Sequence, residues 1–219
     1  MKNVWMGPVV LYGLFLAERQ VQIRKSLEED DLSQEEREIL SWAKNQGETT
    51  CRITPFGNNV CNGWASQYTY GFESFSGGNE VVDNFVKRAR EDLIGRENVS
   101  IGEKILILNN FVRQEIESHG GSVDFGPKPI DDLIVKKNGR CFEVALLTAV
   151  LTKKLCQKEV LVATYKQDGR NGHAFVIFVD SDGVIKTTEN GLLMTMNEYQ
   201  ERRKEDIYPE YFLKWEGDQ

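Results

Sequence analysis

A cysteine at the predicted start of a helix is the residue of this sequence best placed to do chemistry. Cys141 follows Gly139 and opens an apolar run that has helical spacing and no helix breaker. The unpaired N–H groups and positive dipole end of a helix N-terminus favour a thiolate, which a nucleophile or a metal ligand needs. A free cysteine is also a common small core residue, so this position alone leaves both interpretations open.

Histidine is the usual base for a cysteine nucleophile, and the chain contains two. His119 lies beside Gly120 at the end of a polar helix, where we expect it to be solvent-exposed. His173 begins an apolar strand directly after a glycine-bearing turn, where packing gives no reason for an imidazole. We therefore predict that Cys141 and His173 act together. The alternative is a strand-edge histidine that bonds only to the backbone.

A predicted hairpin supplies a third residue that could orient the imidazole. If Asp180–Gly183 is its loop, the residues flanking the loop pair, and residue 190 then lies opposite His173. Glu189 is within one residue of that register, and opposed residues share a face of the sheet, so Glu189 or Asn190 could reach the ring. A carboxylate also favours the imidazolium of a thiolate–imidazolium pair. We therefore predict Glu189, with Asn190 as its substitute.

The elements that must position these residues form a predicted α+β domain, with helices first, then the cysteine helix packed on an antiparallel β-sheet. The segment 49–78 is aromatic and loop-rich, and the sequence leaves open short strands or a substrate-facing loop. Helices are predicted from Ser33, Val81, Ser100 and Cys141 and at 196–204, and strands at 160–165, 173–179, 184–188 and 211–215.

Composition limits the possible partners of the chain. Its 219 residues carry a net charge of -7 without any basic run, which argues against a nucleic-acid binder. A metal site built from Cys141, His173 and Glu189 is disfavoured because histidines are few and no ligands are closely spaced, and no cofactor is predicted.

The N-terminal residues resemble a secretory signal or a signal anchor. An uncharged apolar run, Val4–Ala17, follows Lys2, and its end offers no small-x-small cleavage site. We therefore divide the chain into residues 1–31, an apolar segment with a charged linker, and a domain at 32–219. The prediction is a membrane-anchored or secreted protein, and the alternative is a cytoplasmic protein with a buried N-terminal helix. A disulfide between Cys51 and Cys61 would fit the oxidising compartment.

Four blocks of the sequence together resemble the transglutaminase-like superfamily, over roughly residues 80 to 192. The resemblance implies a papain-related α+β fold and a triad of Cys141, His173 and Glu189. It also implies acyl transfer on protein or peptide amides through a thioester. Hydrolysis by a peptidase or deamidase is our prediction; a cross-linking transglutaminase and an inactive binding module are the alternatives. The blocks are Phe111–Ile116, Pro129–Leu133, Lys137–Leu147 and Gly172–Val176.

The sequence departs from the pattern of that family at three positions. Glu189 stands where an aspartate is usual, Arg140 where an acidic residue is frequent, and Phe175 where a tryptophan is common. The side chain that would complete an oxyanion hole is not fixed by the pattern, and the backbone N–H of the nucleophile at its helix N-terminus is the safer donor. The side-chain candidates are Asn110, Gln114 and Trp64.

Overall fold

The structure, a computed structural model, is a mixed α+β protein. It describes residues 34, 37–39, 41, 52–56, 60–61, 69–71, 78–116, 128–158, 160–165, 173–189, 191–203 and 207–215, with backbone only at 52–71, 128–129, 164–165, 203 and 207–215. The helices are α1 (Glu80–Glu91), α2 (Ile101–Ile116), α3 (Ile130–Lys136), α4 (Cys141–Cys156) and α5 (Met196–Arg203). The strands are β1 (Arg52–Phe56), β2 (Val60–Cys61), β3 (Thr69–Gly71), β4 (Lys128–Pro129), β5 (Leu161–Tyr165), β6 (His173–Val179), β7 (Ile185–Glu189), β8 (Leu192–Thr195) and β9 (Ile207–Trp215).

Two sheets are present in the described part of the chain. The larger has the strand order β1-β9-β5-β6-β7-β8 and is antiparallel except where β1 runs parallel to β9. The smaller joins β2, β3 and β4. The strand predicted at 211–215 is confirmed as part of β9, but it does not lie at the edge of the sheet as expected, because β1 pairs on its outer side. Strand β8 was missed, since its four residues follow β7 after a glycine turn and are too few to show a period.

Helix α4 is the central element, and the sequence predicted its start correctly at Cys141. Every residue from 142 to 152 is buried, so the helix is enclosed on all sides rather than along one stripe. It packs on α2 and on the adjacent strands β5 and β6. This burial explains why the helix is apolar all round.

Strand β6 is buried on both faces, as its continuous apolar sequence predicted. Ala174, Val176 and Phe178 pack in a core with helices α1 to α4, and the alternate residues Phe175 and Ile177 pack in a second core beneath β8 and α5. The sheet is therefore the middle layer of the fold.

Helix α2 lies across the helical face of the sheet and begins at the predicted capping box. The Ser100 hydroxyl accepts from the Glu103 N–H at 3.1 Å, and the Glu103 carboxylate accepts from the Ser100 N–H at 2.9 Å. The buried positions Ile105, Asn109 and Val112 recur with helical spacing. One of these three residues is polar, and it becomes important at the site described next.

Candidate active site

Cys141 is the first residue of α4, and its neighbours define the helix start. Arg140 has an extended backbone, and its carbonyl accepts the first helical hydrogen bond, from the Val144 N–H at 2.9 Å. The Glu143 carboxylate accepts from the Arg140 N–H at 2.9 Å. The Cys141 N–H belongs to the first turn, where backbone donors have no intrahelical acceptor. The half-buried thiol is therefore placed at the positive end of a helix.

The segment that precedes Cys141 is hydrogen-bonded to the last residue of α2. The Gly139 N–H donates to the Ile116 carbonyl at 2.7 Å. A Cβ atom at Gly139 would lie 2.5 Å from Ile116 Cδ1 and 3.2 Å from the Ile116 carbonyl oxygen, so a side chain here would force the buried Ile116 to shift. Lys137 adopts a left-handed backbone, with φ of 49°, and reverses the chain after α3. Packing therefore favours glycine at the position two residues before Cys141.

His173 begins β6, and its imidazole is held by Glu189. The distance from His173 Nε2 to Glu189 Oε2 is 2.8 Å. A carboxylate can only accept, so Nε2 carries the proton of this bond. The Glu189 side chain is 6% exposed and the imidazole 30% exposed, so the pair is largely shielded from water.

The hairpin register that was predicted for this pair is wrong by one residue. Val179 pairs with Ile185 rather than with Val184, because the loop is Asp180–Val184, closed by a 3.0 Å bond from the Asp180 N–H to the Val184 carbonyl. Continuing the observed register places Glu189 two residues from the position opposite His173, on the same face of the sheet. Glu189 therefore reaches the ring diagonally across the two strands.

The same imidazole also contacts the Cys141 thiol. A hydrogen bond joins the side chains of Cys141 and His173. Because Nε2 is bonded to Glu189, Nδ1 is the ring nitrogen that remains for sulfur. Burial alone lowers the pKa of His173, but the hydrogen bonds to Cys141 and Glu189 and the negative charge of both partners raise it from 6.5 to about 9. The ring is therefore protonated at neutral pH.

A small cleft, with free space for about one water molecule, lies among these side chains. Ala174 and Thr188 contribute from the helical face of the sheet, and His173, Phe175 and Glu189 are the alternate residues of the same strands. The cleft therefore crosses the end of the β6–β7 pair instead of lying on one face. The helices complete its wall with Asn109 and Arg113 of α2 and Cys141, Val144 and Ala145 of α4.

Asn109 is a polar residue of the cleft that the sequence analysis missed. The two α2 amides considered as candidates for an oxyanion donor, Asn110 and Gln114, instead line a separate cleft with Glu91 and Arg96. The reason is the helical phase of α2: Asn109 lies in its buried stripe, and the next residue is turned away. A polar residue at an apolar helical position was the signal that could have identified it.

A chain of hydrogen bonds fixes the Asn109 side chain. Its Nδ2 donates to Thr148 Oγ1 at 3.2 Å, and Thr148 Oγ1 donates to the Val144 carbonyl at 2.7 Å. The single hydroxyl hydrogen of Thr148 is used on the carbonyl, so the hydroxyl must accept from Asn109. The carboxamide is thus held in one orientation beside the first turn of α4.

Several predictions fall on residues that the structure does not describe. They are Asn190, Trp64, His119 and residues 1–31. Cys51, predicted to form a disulfide with Cys61, also lies outside the described residues. The other two cysteines, Cys141 and Cys156, are free.

The described ranges contain neither a helix of the length and hydropathy needed to cross a membrane nor a group of three side chains arranged to hold a metal ion.

Cys141, His173 and Glu189, predicted from three separate segments, meet in one cleft and join a thiol, an imidazole and a carboxylate by hydrogen bonds. Comparison with known proteins finds no matching family model and no matching curated protein.

Proposed function

We propose that this protein is a cysteine-dependent acyl hydrolase of the transglutaminase-like type, acting on protein or peptide amides through a thioester. One observation supports the proposal above all others: a single imidazole, that of His173, is hydrogen-bonded to the Cys141 thiol and to the Glu189 carboxylate. Nucleophile, base and orienting acid in this order are the requirement for thiol-based acyl transfer. The sequence resemblance to the transglutaminase-like superfamily points to the same chemistry.

In the proposed acylation step, the Cys141 sulfur attacks the amide carbonyl carbon. The His173 imidazolium then gives its Nδ1 proton to the departing amine, and a thioester remains on the enzyme. Glu189 keeps the ring oriented and stabilises its positive charge. No step requires a cofactor.

The negative charge on the carbonyl oxygen needs donors during this step. The Cys141 N–H is one, because the first turn of α4 leaves it without an intrahelical acceptor. Asn109 is proposed as the second donor, in place of the side-chain candidates named from the sequence. Its Nδ2 carries two hydrogens, and the bond to Thr148 engages one of them.

Alkylation by iodoacetamide at neutral pH tests the proposed nucleophile. We expect rapid labelling at Cys141, located by peptide mass spectrometry, and loss of that labelling in Cys141→Ala. Cys156→Ala is the matched control, because burial raises the pKa of the Cys156 thiol, an effect that Lys104 only partly offsets. This control variant should therefore label as the wild type does. Undiminished rapid labelling of Cys141→Ala would exclude the proposed function.

A further inference from the structure

Thr188 places a buried hydroxyl group in the wall of the catalytic cleft. The residue is 2% exposed, and within the described part of the chain its Oγ1 has no hydrogen-bond partner. It lines the cleft together with Cys141 and His173. Leaving a buried hydroxyl unpaired costs about 1 to 3 kcal/mol, so a group of this kind calls for an explanation.

The neighbouring residue shows that the position in the cleft is the distinguishing feature. Thr187 is equally buried, and its hydroxyl is likewise without a partner in the described ranges. Successive residues of a strand point to opposite faces, and Thr187 does not line the cleft. Thr188, paired with Val176, faces the helical layer that contains Asn109. Only Thr188 of these two hydroxyls can therefore act on the site.

The polar groups around Thr188 suit a water molecule. The free space within the cleft holds about one water, and a bound water needs about two to four polar partners. The Thr188 hydroxyl, the Asn109 carboxamide and the His173 ring all line this space. Thr148 cannot compete as a donor, because its hydrogen is used on the Val144 carbonyl.

We propose that Thr188 holds the water that hydrolyses the thioester; this inference rests on the proposed function. After acylation His173 has lost its proton to the departing amine and is a neutral base. The water oxygen bonds to the thioester carbonyl carbon while a water proton passes to His173 Nδ1. The carbon–sulfur bond then breaks, its electron pair returns to Cys141 as thiolate, and a carboxylic acid leaves.

In this proposal the acyl acceptor is water. A water bonded to Thr188 is adjacent to the base and is shielded by the cleft wall, so it competes favourably with amines that must enter from solution. Hydrolysis, rather than cross-linking to a lysine amine, is then the outcome that the cleft favours.

The test uses p-nitrophenyl acetate and the substitution Thr188→Val, which removes the hydroxyl and keeps the branched shape. Acylation of Cys141 releases a rapid burst of p-nitrophenolate, and the later steady rate reports deacylation. We expect Thr188→Val to keep the burst and to lower the steady rate about tenfold, the effect of one lost hydrogen bond. Acetylated protein should accumulate, as seen by intact-protein mass spectrometry.

Thr187→Val is the matched control, since it makes the same change on the same strand away from the cleft, and it should keep both rates. Hydroxylamine should restore turnover of Thr188→Val, because an added nucleophile does not need the water site. An unchanged steady rate, or an equal loss of burst and steady rate in a variant that unfolds like the wild type, would overturn the inference. If Cys141→Ala hydrolyses the ester as fast as the wild type, the proposed function itself is refuted, and with it this inference.

Discussion

At the scale of single residues, the site depends on how far Glu189 can reach. Diagonal neighbours on paired strands lie about 7 to 8 Å apart, farther than directly opposed residues. Glu189 spans this gap and approaches the His173 ring to 2.8 Å. An aspartate at this position would be one methylene shorter. The family that the sequence resembles usually has an aspartate at this position. The longer glutamate thus suits the register that this hairpin adopts.

Replacing Glu189 by Gln should lower kcat/KM for the ester substrate roughly 100-fold, since the imidazole loses its charged partner. Loss of the carboxylate also lowers the pKa of His173, because the bond and charge of Glu189 contribute to raising it to about 9. A raised pKa in the folded state stabilises the protein fully below about pH 6.5, and this contribution is lost as the pH rises through about 9. Urea unfolding should therefore show a smaller loss of stability across that interval in Glu189→Gln.

Glu189→Asp is the control that separates charge from reach. It retains the carboxylate but shortens the side chain, so its kcat/KM should fall between those of the wild type and Glu189→Gln. If Glu189→Gln keeps both the wild-type rate and the wild-type pH dependence of unfolding, Glu189 does not orient His173.

At the scale of elements, the segment before Cys141 is held in place by its contact with the end of helix α2. The Gly139 N–H donates to the last residue of α2, Ile116, which is itself 1% exposed. The position of the nucleophile therefore depends on a contact between two backbones as well as on its own helix. Tight packing of this kind transmits small displacements because no free space absorbs them.

The change Gly139→Ala should destabilise the protein by about 1 to 3 kcal/mol and reduce the ester burst, because the new methyl overlaps Ile116 Cδ1. The double variant Gly139→Ala/Ile116→Val removes that atom and should recover part of both losses. Urea unfolding and burst kinetics on the two single variants and the double variant measure this coupling. Strictly additive effects would show that Gly139 and Ile116 are not energetically coupled.

At the scale of the whole molecule, the sequence predicted the elements that have a clear apolar pattern and the residues with distinctive chemistry. Helix α4 and strand β6 could be predicted because each is a long apolar run, and an element that is buried on all sides must be apolar. The α+β arrangement followed from their order along the chain. Cys141 and His173 could be identified because their types and positions were unusual.

What the sequence could not predict depends on contacts between distant segments. The hairpin register required knowing that Val184 belongs to the loop, and one residue of shift moves a side chain to the other face. The interior position of β9 depends on its pairing with β1, far away along the chain. Asn109 and Thr188 read as ordinary polar residues of a helix and a strand until the fold places them in one cleft.

The two halves of the fold are also joined at the end of the β6–β7 pair that is remote from the cleft. Asp180, at the hairpin tip, accepts from the Gly102 N–H in the first turn of α2 at 2.8 Å through Oδ1. Its Oδ2 accepts from Lys186 Nζ at 2.8 Å. Together with the Gly139 contact at the last turn, this bond fixes α2 at both ends, with Asn109 between them. The carboxylate therefore helps to set the geometry of a cleft that it does not touch.

Replacing Asp180 by Asn should destabilise the whole domain by about 2 to 4 kcal/mol, because the new amide N–H₂ would face the Lys186 ammonium in a buried site. Asp182→Asn is the matched control: Asp182 bonds the same lysine at 2.7 Å but is 52% exposed, so solvent screens the pair and its loss should have little effect on stability. Burial raises the pKa of Asp180, but the bonds from Lys186, Ser181 and Gly102 lower it below its ordinary value.

A lowered pKa stabilises the folded state fully above the ordinary value of 3.8, and this contribution is lost as the pH falls through the folded pKa. The wild type should therefore lose more stability on acidification than Asp180→Asn, as measured by urea unfolding across that range. If Asp180→Asn unfolds with the free energy and pH dependence of Asp182→Asn, the hairpin tip does not hold α2. The orientation of Asn109 must then come from the packing of α2 on α4 alone.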